Sequence, residues 1–187
     1  MSKQREAIDS EMVEWIGRQQ IFFVGTAPLS GEGHINVSPK GGDSFRVLGP
    51  LEVVYHDYTG SGAETAAHLR ENGRILIMFC AFQGSPKIVR LYGKGEVITR
   101  GHPHFAELAG MFPQNPGTRS YVLVRVSRVS HSCGYSVPLF AFQAKREALD
   151  RWAEKQGEEK LVEYRATKNR RSIDGLPAFD VLSPHSS

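Results

Sequence analysis

The sequence predicts a mainly β (α+β) domain in which an antiparallel barrel carries peripheral helices. Six or seven apolar or alternating segments have the pattern of strands, and few helical segments separate them. A doubly wound parallel sheet would need a helix after nearly every strand, and most of those helices are missing. Gly93 and Gly95, inside one long alternating segment, favour bulges or bends. We therefore expect antiparallel strands in a sheet that curls into a barrel.

Length and composition favour one globular domain spanning residues 1–187. Hydrophobic residues make up 40% of the chain and charged residues 23%, which is ordinary for a protein with a full core. No apolar run could span a bilayer, and the first residues lack the apolar segment of a secretion signal. Cys80 and Cys133 fit a reducing compartment better than a disulfide framework. We therefore expect a cytoplasmic protein with no membrane partner.

The charge and ligand patterns argue against two further classes of partner. The net charge is only +3, and the basic residues are scattered apart from a cluster at 168–171. A nucleic-acid-binding protein more often shows a continuous basic face with interleaved aromatic residues. His131 and Cys133 could form a metal pair, but no four-ligand spacing accompanies them. We expect neither a nucleic-acid partner nor a metal site.

The first third of the chain predicts a helix followed by three strands. Residues 5–19 place apolar side chains at helical spacing, which predicts an N-terminal helix. Residues 20–26 are short, apolar and aromatic, and 34–38 alternate, so the two segments predict a hairpin. A turn should follow at 39–42, where proline ends the strand. Residues 45–48 predict the next strand.

The middle of the chain predicts a strand, a helix and two more strands. The apolar run at 51–55 feeds a turn and then a segment rich in helix formers, which Asn72-Gly73 should end. Residues 74–82 are nearly continuously apolar, as in a strand buried on both faces. Residues 87–99 alternate over a greater length.

The last part predicts a short helix, one long strand and a C-terminal helix with a tail. Residues 103–111 predict the helix and 119–130 the strand. An amphipathic segment starts near residue 145 and should be closed by Gly157. The helix and the tail behind it occupy about 145–187, and the tail shows no strong periodicity.

The turn Thr59-Gly60-Ser61-Gly62 has two interpretations. A strand, a glycine-bearing turn and a helix N-terminus together form an anion site, because the first helix amides lack partners and carry partial positive charge. The hydroxyl groups of Thr59, Ser61 and Thr65 could donate to the same anion. Alternatively, Ser61 and Glu64 have the spacing of a capping box, which would begin the helix without any ligand.

Two residues near this turn are also open to two interpretations. Lys40 could meet a phosphate as a point charge, or it could be a solvated turn residue. His68 falls in the predicted helix and is more often a packing residue than a catalyst. No Ser-His-Asp or paired-carboxylate arrangement stands out, so the catalytic residues stay unassigned.

Several motifs together resemble a known family. They are Asn36-Val37-Ser38-Pro39-Lys40-Gly41, the stretch from Tyr58 to Leu69, Asn72-Gly73-Arg74 and Arg90-Leu91-Tyr92-Gly93-Lys94-Gly95. In these motifs the sequence is similar to the pyridoxamine 5′-phosphate oxidase-related superfamily of FMN-binding split barrels. The segments 132–138 and 168–177 resemble one branch of it, whose substrate is not settled.

The resemblance implies a six-stranded split barrel, a homodimer and one FMN in each of two clefts at the subunit interface. It also implies flavin-dependent oxidation or reduction of a small molecule. True pyridoxamine 5′-phosphate oxidases carry arginine and lysine where this turn has Ser61-Gly62, so vitamin oxidation is not expected. The implied cofactor-binding positions are Ser38, Lys40, Tyr58, Thr59, Ser61, Gly62, Thr65 and Arg90.

Two alternatives remain beside the oxidoreductase. One is a flavin- or heme-binding protein with a stress or sensor role and no turnover. The other keeps the fold and uses a deazaflavin in a reductase. Tight cofactor binding without steady-state activity would favour the first, and competition between the two cofactors would identify the second.

Overall fold

The computed structural model describes residues 3–180, with side chains described from residue 5 onward. This part of the chain contains eight strands and four helices. In chain order they are β1 (Lys3–Arg5), α1 (Ser10–Gly17), β2 (Ile21–Thr26), β3 (Asn36–Gly41), β4 (Phe45–Gly49), β5 (Glu52–Tyr58), α2 (Glu64–Asn72), β6 (Arg74–Cys80), β7 (Ile88–Ile98), α3 (Phe105–Ala109), β8 (Thr118–Ser132) and α4 (Ala148–Lys168).

The strands form one antiparallel sheet in the order β3-β2-β6-β7-β8-β5-β4, and β1 pairs with the end of β8 outside this path. The two ends of the path, β3 and β4, are consecutive in the chain and separated only by residues 42–44. The sheet must therefore curl. The rings of Phe22 on β2 and Phe45 on β4 lie 5.1 Å apart across the enclosed space.

The mainly β antiparallel architecture is as predicted, but the number of strands is not six. Seven strands form the continuous path, and β1 adds a short eighth. The additional pairing comes from residues 3–5, which align with residues 129–131 of β8. The 15-residue β8 is long enough to pair with β7 along one side and with both β1 and β5 along the other.

The main hydrophobic core fills the concave side of the sheet. Met12 and Ile16 of α1 cover one end of it, and a second cluster lies beneath α3 around Leu108 and Phe112. Side chains of the sheet that are almost completely buried in the main core include Val24, Val53, Tyr55, Ile77, Phe79, Leu91 and Val124. Burial of this apolar surface is the principal source of the free energy of folding.

Three local predictions are confirmed. β2 and β3 form a hairpin with continuous register, and α2 ends at Gly73, whose φ of 70° is the left-handed conformation that suits glycine. The register of β7 against β8 shifts between Tyr92 and Gly93. A Cβ on Gly93 would lie 2.2 Å from the carbonyl oxygen of Arg125, so this close approach of two strands requires glycine.

Other boundaries differ from the sequence expectations. β3 continues to Gly41, so Lys40 lies in a strand and not in a turn; proline at position 39 is tolerated because β3 is at the edge of the sheet. The helix α1 spans only Ser10–Gly17. Gly157 interrupts α4 with φ 71° and ψ 167°, but a second helical segment follows that the sequence did not predict.

Two kinds of feature are absent from residues 3–180. No helix there is both long and apolar enough to cross a membrane. No group of three or more histidine, cysteine or acidic side chains there is arranged to hold a metal ion.

Candidate functional site

The turn between β5 and α2 lies under the C-terminal segment of the chain. The Asn169 Nδ2 donates to the carbonyl oxygen of Gly60 at 2.8 Å, and the Nε of Arg165 donates to the Thr59 hydroxyl at 2.8 Å. The Thr59 hydroxyl in turn donates to the carbonyl oxygen of Gly117. Thr59 is completely buried and fully hydrogen-bonded, so its role is to hold the turn in place.

The backbone amides of residues 60–66 form a run of seven potential donors. None of them donates to an acceptor in residues 3–180. The run leads into α2, where the helix dipole adds partial positive charge. Backbone amides without partners at a helix N-terminus are suitable donors for a phosphate. This arrangement favours the anion-site interpretation of the turn.

The capping-box interpretation is wrong. The N-cap of α2 is Ala63, and no side chain caps the helix. Glu64 is the first helical residue, and its Oε1 accepts from the amide of Ile173 at 3.3 Å. The carboxylate lies close to the turn, because a Cβ on Gly62 would be 2.9 Å from Glu64 Oε2. The turn is thus a run of neutral donors with one carboxylate beside it.

A second part of the site is a network of neutral polar side chains centred on Asn36. Its Nδ2 donates to Thr65 Oγ1 at 3.0 Å and to Thr26 Oγ1 at 3.2 Å, and its Oδ1 accepts from Ser38 at 3.2 Å. His68 Nδ1 lies 3.0 Å from the Thr26 hydroxyl. The structure therefore joins Ser38 on β3 to Thr65 on α2 through one amide side chain.

Burial decides the charge of His68. The imidazole is completely buried, and desolvation lowers its pKa despite nearby carboxylates. Its Nε2 is buried and has no hydrogen-bond partner in the described part of the chain. His68 is therefore a neutral packing residue at pH 7, as the helical position in the sequence suggested.

A buried ion network lies directly behind the turn. The carboxylate of Asp57 accepts from Lys40 Nζ at 3.1 Å, from Arg119 Nε at 2.9 Å and from the Ser120 hydroxyl at 3.1 Å. Burial opposes ionisation of Asp57, but the charges and hydrogen bonds of Arg119 and Lys40 outweigh it and hold the pKa well below its usual range. Lys40 is therefore part of an internal ion pair.

Arg119 connects this network to the turn. Its Nη1 donates to the carbonyl oxygen of Gly62 at 2.8 Å and more weakly to that of Gly60 at 3.4 Å. Together, Arg119 and Asn169 hold the turn by its carbonyl oxygens. The amide hydrogens of the same peptides stay available to a ligand.

Tyr58 and Arg90, the two remaining residues predicted to bind the cofactor, take no part in the polar and ionic networks around the turn. Tyr58 packs on His56 with ring centroids 4.3 Å apart, and burial raises the pKa of Tyr58 to about 12. Arg90 lies between the core residues Val89 and Leu91 on β7. Its side chain therefore points away from the core, on the other face of the sheet. There it donates to the Ser132 hydroxyl at 3.1 Å. The structure does not bring Arg90 near the turn in this single chain.

Comparisons with known proteins identify the family. The family model described as pyridoxamine 5′-phosphate oxidase matches residues 8–133. The pyridoxamine 5′-phosphate oxidase family protein ustO of Aspergillus flavus is 40% identical over 193 residues, which cover 93% of this chain and 76% of that protein. The chain belongs to the pyridoxamine 5′-phosphate oxidase family.

Solved structures agree on the fold. HupZ of Group A Streptococcus aligns with a TM-score of 0.51 and 24% identity, over 65% of this chain and 91% of HupZ. A Clostridium acetobutylicum protein related to general stress protein 26 aligns with a TM-score of 0.51 and 14% identity, over 66% and 86% of the two chains. At these identities the likeness shows the fold alone, which is the mainly β, antiparallel, curled sheet of this pyridoxamine 5′-phosphate oxidase family member.

Sequence reasoning missed four residues that shape the site of this family member. Asp57 directly precedes the motif that begins at Tyr58, and its position in the sequence gave no sign that it is buried together with Lys40 and Arg119. Arg119, Arg165 and Asn169 lie far along the chain, and residues 165 and 169 fall outside the family match. Only the fold brings these three side chains to the turn.

Proposed function

We propose that this protein binds FMN, with the phosphate at the turn of residues 60–63 and the first residues of α2. The single observation that supports this most strongly is the run of unpaired amides from residue 60 to residue 66. Membership of the pyridoxamine 5′-phosphate oxidase family supports the same cofactor, since the motifs around the turn resemble those of its FMN-binding members.

The donor set fits a phosphate group. The amides provide neutral hydrogen bonds, and the Ser38 and Thr65 hydroxyls lie on the strand and helix that flank the turn. Lys40 and Arg119 contribute long-range positive charge from behind the turn while they bind Asp57. Arg119 and Asn169 keep the loop in one conformation, which reduces the entropy lost on binding.

We further propose that the protein is a flavin-dependent oxidoreductase acting on a small organic molecule. A bound flavin supplies the hydride or electron chemistry, and the protein supplies binding and orientation. The absence of an acid–base pair among the residues at the turn is compatible with this division of roles. The substrate class stays open.

A homodimer is part of the proposal, with the cofactor between two subunits. The edge strand β3 and the residue before it expose large apolar side chains, with Ile35 77% and Val37 64% exposed. Exposed apolar side chains on an edge strand favour association. Sedimentation velocity at micromolar concentration should show a dimer, and a monomer at every concentration would contradict this part of the proposal.

The first experiment is an FMN titration of the purified protein, followed by flavin absorbance and fluorescence. We expect saturable binding by the wild-type protein. Replacing Glu64 with glutamine should increase the affinity several-fold, because it removes a negative charge beside the phosphate and keeps the acceptor for the Ile173 amide. Glu159→Gln on the exposed face of α4 is the matched control and should have no effect.

Two results would overturn the assignment. A protein that is colourless as purified and also fails to bind added FMN would exclude the cofactor. Equal FMN affinity for the wild type and Glu64→Gln would place the phosphate elsewhere. If FMN binds, stopped-flow reduction by NADH or NADPH tests the oxidoreductase; a flavin inert to every reductant tried would favour a binding protein without turnover.

A further inference from the structure

A separate cleft lies between the sheet and the C-terminal segment. Its walls come from α2, the second half of β7, α4 and the residues up to Asp180, and its volume is about 390 Å³. This is within the range of small-molecule sites, which is roughly 300–1,000 Å³. One wall, residues 162–180, lies outside the part of the chain that matches the family model.

One guanidinium group in this cleft, that of Arg165, forms no ion pair within 4 Å with the described residues. Arg165 uses its Nε for the Thr59 hydroxyl, and its two terminal nitrogens donate to no group in residues 3–180. The side chain is partly buried. Burial and the neighbouring charges of Arg100 and Arg119 lower its pKa, and the carboxylate of Glu158 offsets this only in part, so the positive charge is held at a cost in free energy.

The other charged side chains that line the cleft each have a partner. Arg119 binds Asp57, Arg100 lies 3.2 Å from Glu158, and Arg70 lies 2.8 Å from Asp180. Glu96 also lines the cleft and lies 3.5 Å from the imidazole of His102. Among the described residues, Arg165 is therefore the guanidinium of the cleft that forms no ion pair within 4 Å.

The rest of the cleft is largely apolar. Leu69 of α2, Val97 of β7, Val162 of α4 and Phe179 line it, and the guanidinium of Arg119 lies 4.8 Å from the centre of the Phe179 ring. A ligand that matches both the apolar walls and the guanidinium of Arg165 has an apolar body and an anionic head. Inorganic phosphate would match only the guanidinium.

We propose that this cleft binds a small organic anion, with a carboxylate or phosphate head on Arg165 and an apolar body against Val97 and Val162. The site adjoins the proposed flavin turn, because Arg165 and Arg119 also bind that turn, but the rest of its lining differs. The cleft is lined by Ala66, Leu69 and Arg70 of α2, whereas the Asn36 network engages Thr65 and His68 of that helix. The proposal stands whether or not the protein binds FMN.

The test is isothermal titration calorimetry of the full chain with phenyl phosphate, inorganic phosphate and benzyl alcohol. We expect phenyl phosphate to bind more tightly than either partial probe. Arg165→Gln should weaken phenyl phosphate binding about tenfold, since it removes a charge-assisted hydrogen bond. Arg151→Gln is the control, because it removes the same charge from an exposed position of the same helix.

A second variant tests whether the ligand occupies the cleft volume, independently of the Arg165 charge. It also keeps the proposal testable if Arg165→Gln does not fold. Ala166→Leu fills the cleft and should abolish phenyl phosphate binding while FMN affinity stays unchanged. The proposal is refuted if wild-type protein does not bind phenyl phosphate at millimolar concentration, if inorganic phosphate binds as tightly, or if Arg165→Gln and Arg151→Gln behave alike.

Combined titrations separate this proposal from the flavin assignment. Phenyl phosphate binding without FMN binding would refute only the proposed function. FMN binding without phenyl phosphate binding would refute only the cleft site. Strict competition between FMN and phenyl phosphate, with the binding of both abolished by Ala166→Leu, would place both anions in the cleft and contradict the flavin phosphate at the turn. Strict competition that Ala166→Leu does not affect would place phenyl phosphate at the turn and refute the cleft site.

Discussion

The buried carboxylate of Asp57 offers the sharpest test of how the site is held together. Asp57→Asn keeps the size of the side chain and removes its charge, which leaves Lys40 and Arg119 without their shared counter-ion. The Arg119 side chain is only 8% exposed, so water does not replace the lost partner well. Removing one partner of a buried ion pair costs about 3–5 kcal/mol, and we expect a loss of that order in the free energy of unfolding.

The pH dependence of stability gives the same test a second measurement. The folded-state pKa of Asp57 is depressed, so its ionisation stabilises the fold above the unfolded-state pKa of about 3.9 and this contribution is lost as the pH falls below it. The wild type should therefore lose stability progressively below about pH 5. Asp57→Asn should show a shallower loss over the same range.

Urea unfolding followed by tryptophan fluorescence measures both effects. Asp43→Asn is the matched control, because Asp43 is 56% exposed and pairs with Arg46 at the surface. That substitution should cost about 1 kcal/mol or less. The reasoning is refuted if Asp57→Asn destabilises the protein no more than Asp43→Asn does, or if its acid transition keeps the wild-type slope.

Two further predictions concern the fold around the site. Gly93→Ala should destabilise the protein by about 1–3 kcal/mol, because the new Cβ meets the carbonyl oxygen of Arg125, whereas Gly49→Ala has no atom within 4 Å and should lower the melting temperature little. Burial lowers the pKa of His56 from 6.5 to about 4, so acidification from pH 6.5 to 4 protonates the unfolded chain first and reduces stability. His56→Phe should flatten this part of the pH profile in urea titrations.

The neutral tautomer of His56 follows from its hydrogen bonds. The Thr118 hydroxyl donates to the carbonyl oxygen of Asn115 at 2.6 Å, so it accepts from His56 Nε2 at 2.8 Å. Nε2 therefore carries the proton. Nδ1 is buried without a partner in the described part of the chain, which makes its protonation costly and agrees with the lowered pKa.

The strands and the turn could be predicted from sequence because their signals are local. Alternation of apolar residues predicted β7 and β8, a short apolar and aromatic run predicted β2, and the glycines with helix formers after them predicted a turn that leads into a helix. Lys40 was misplaced because proline usually ends a strand, whereas β3 is an edge strand that tolerates it.

The remainder of the site depends on contacts that leave no local pattern. Asn169 reaches Gly60 across 109 residues of sequence, and Arg165 reaches Thr59 across 106. The capping-box interpretation of the turn failed for the same reason. Ser61 and Glu64 have the correct spacing, but the helix begins at Glu64, and the Ile173 amide from the tail binds its carboxylate.

The charge balance at the turn determines how a phosphate would be held there. Lys40 and Arg119 carry two positive charges and share the single negative charge of Asp57, which leaves about one positive charge behind the turn. The carboxylate of Glu64 lies in front and opposes it. At neutral pH the two nearly cancel, so the unpaired amides provide most of the attraction. This is why Glu64→Gln, which unmasks the buried positive charge, should strengthen FMN binding more than any added hydroxyl group would.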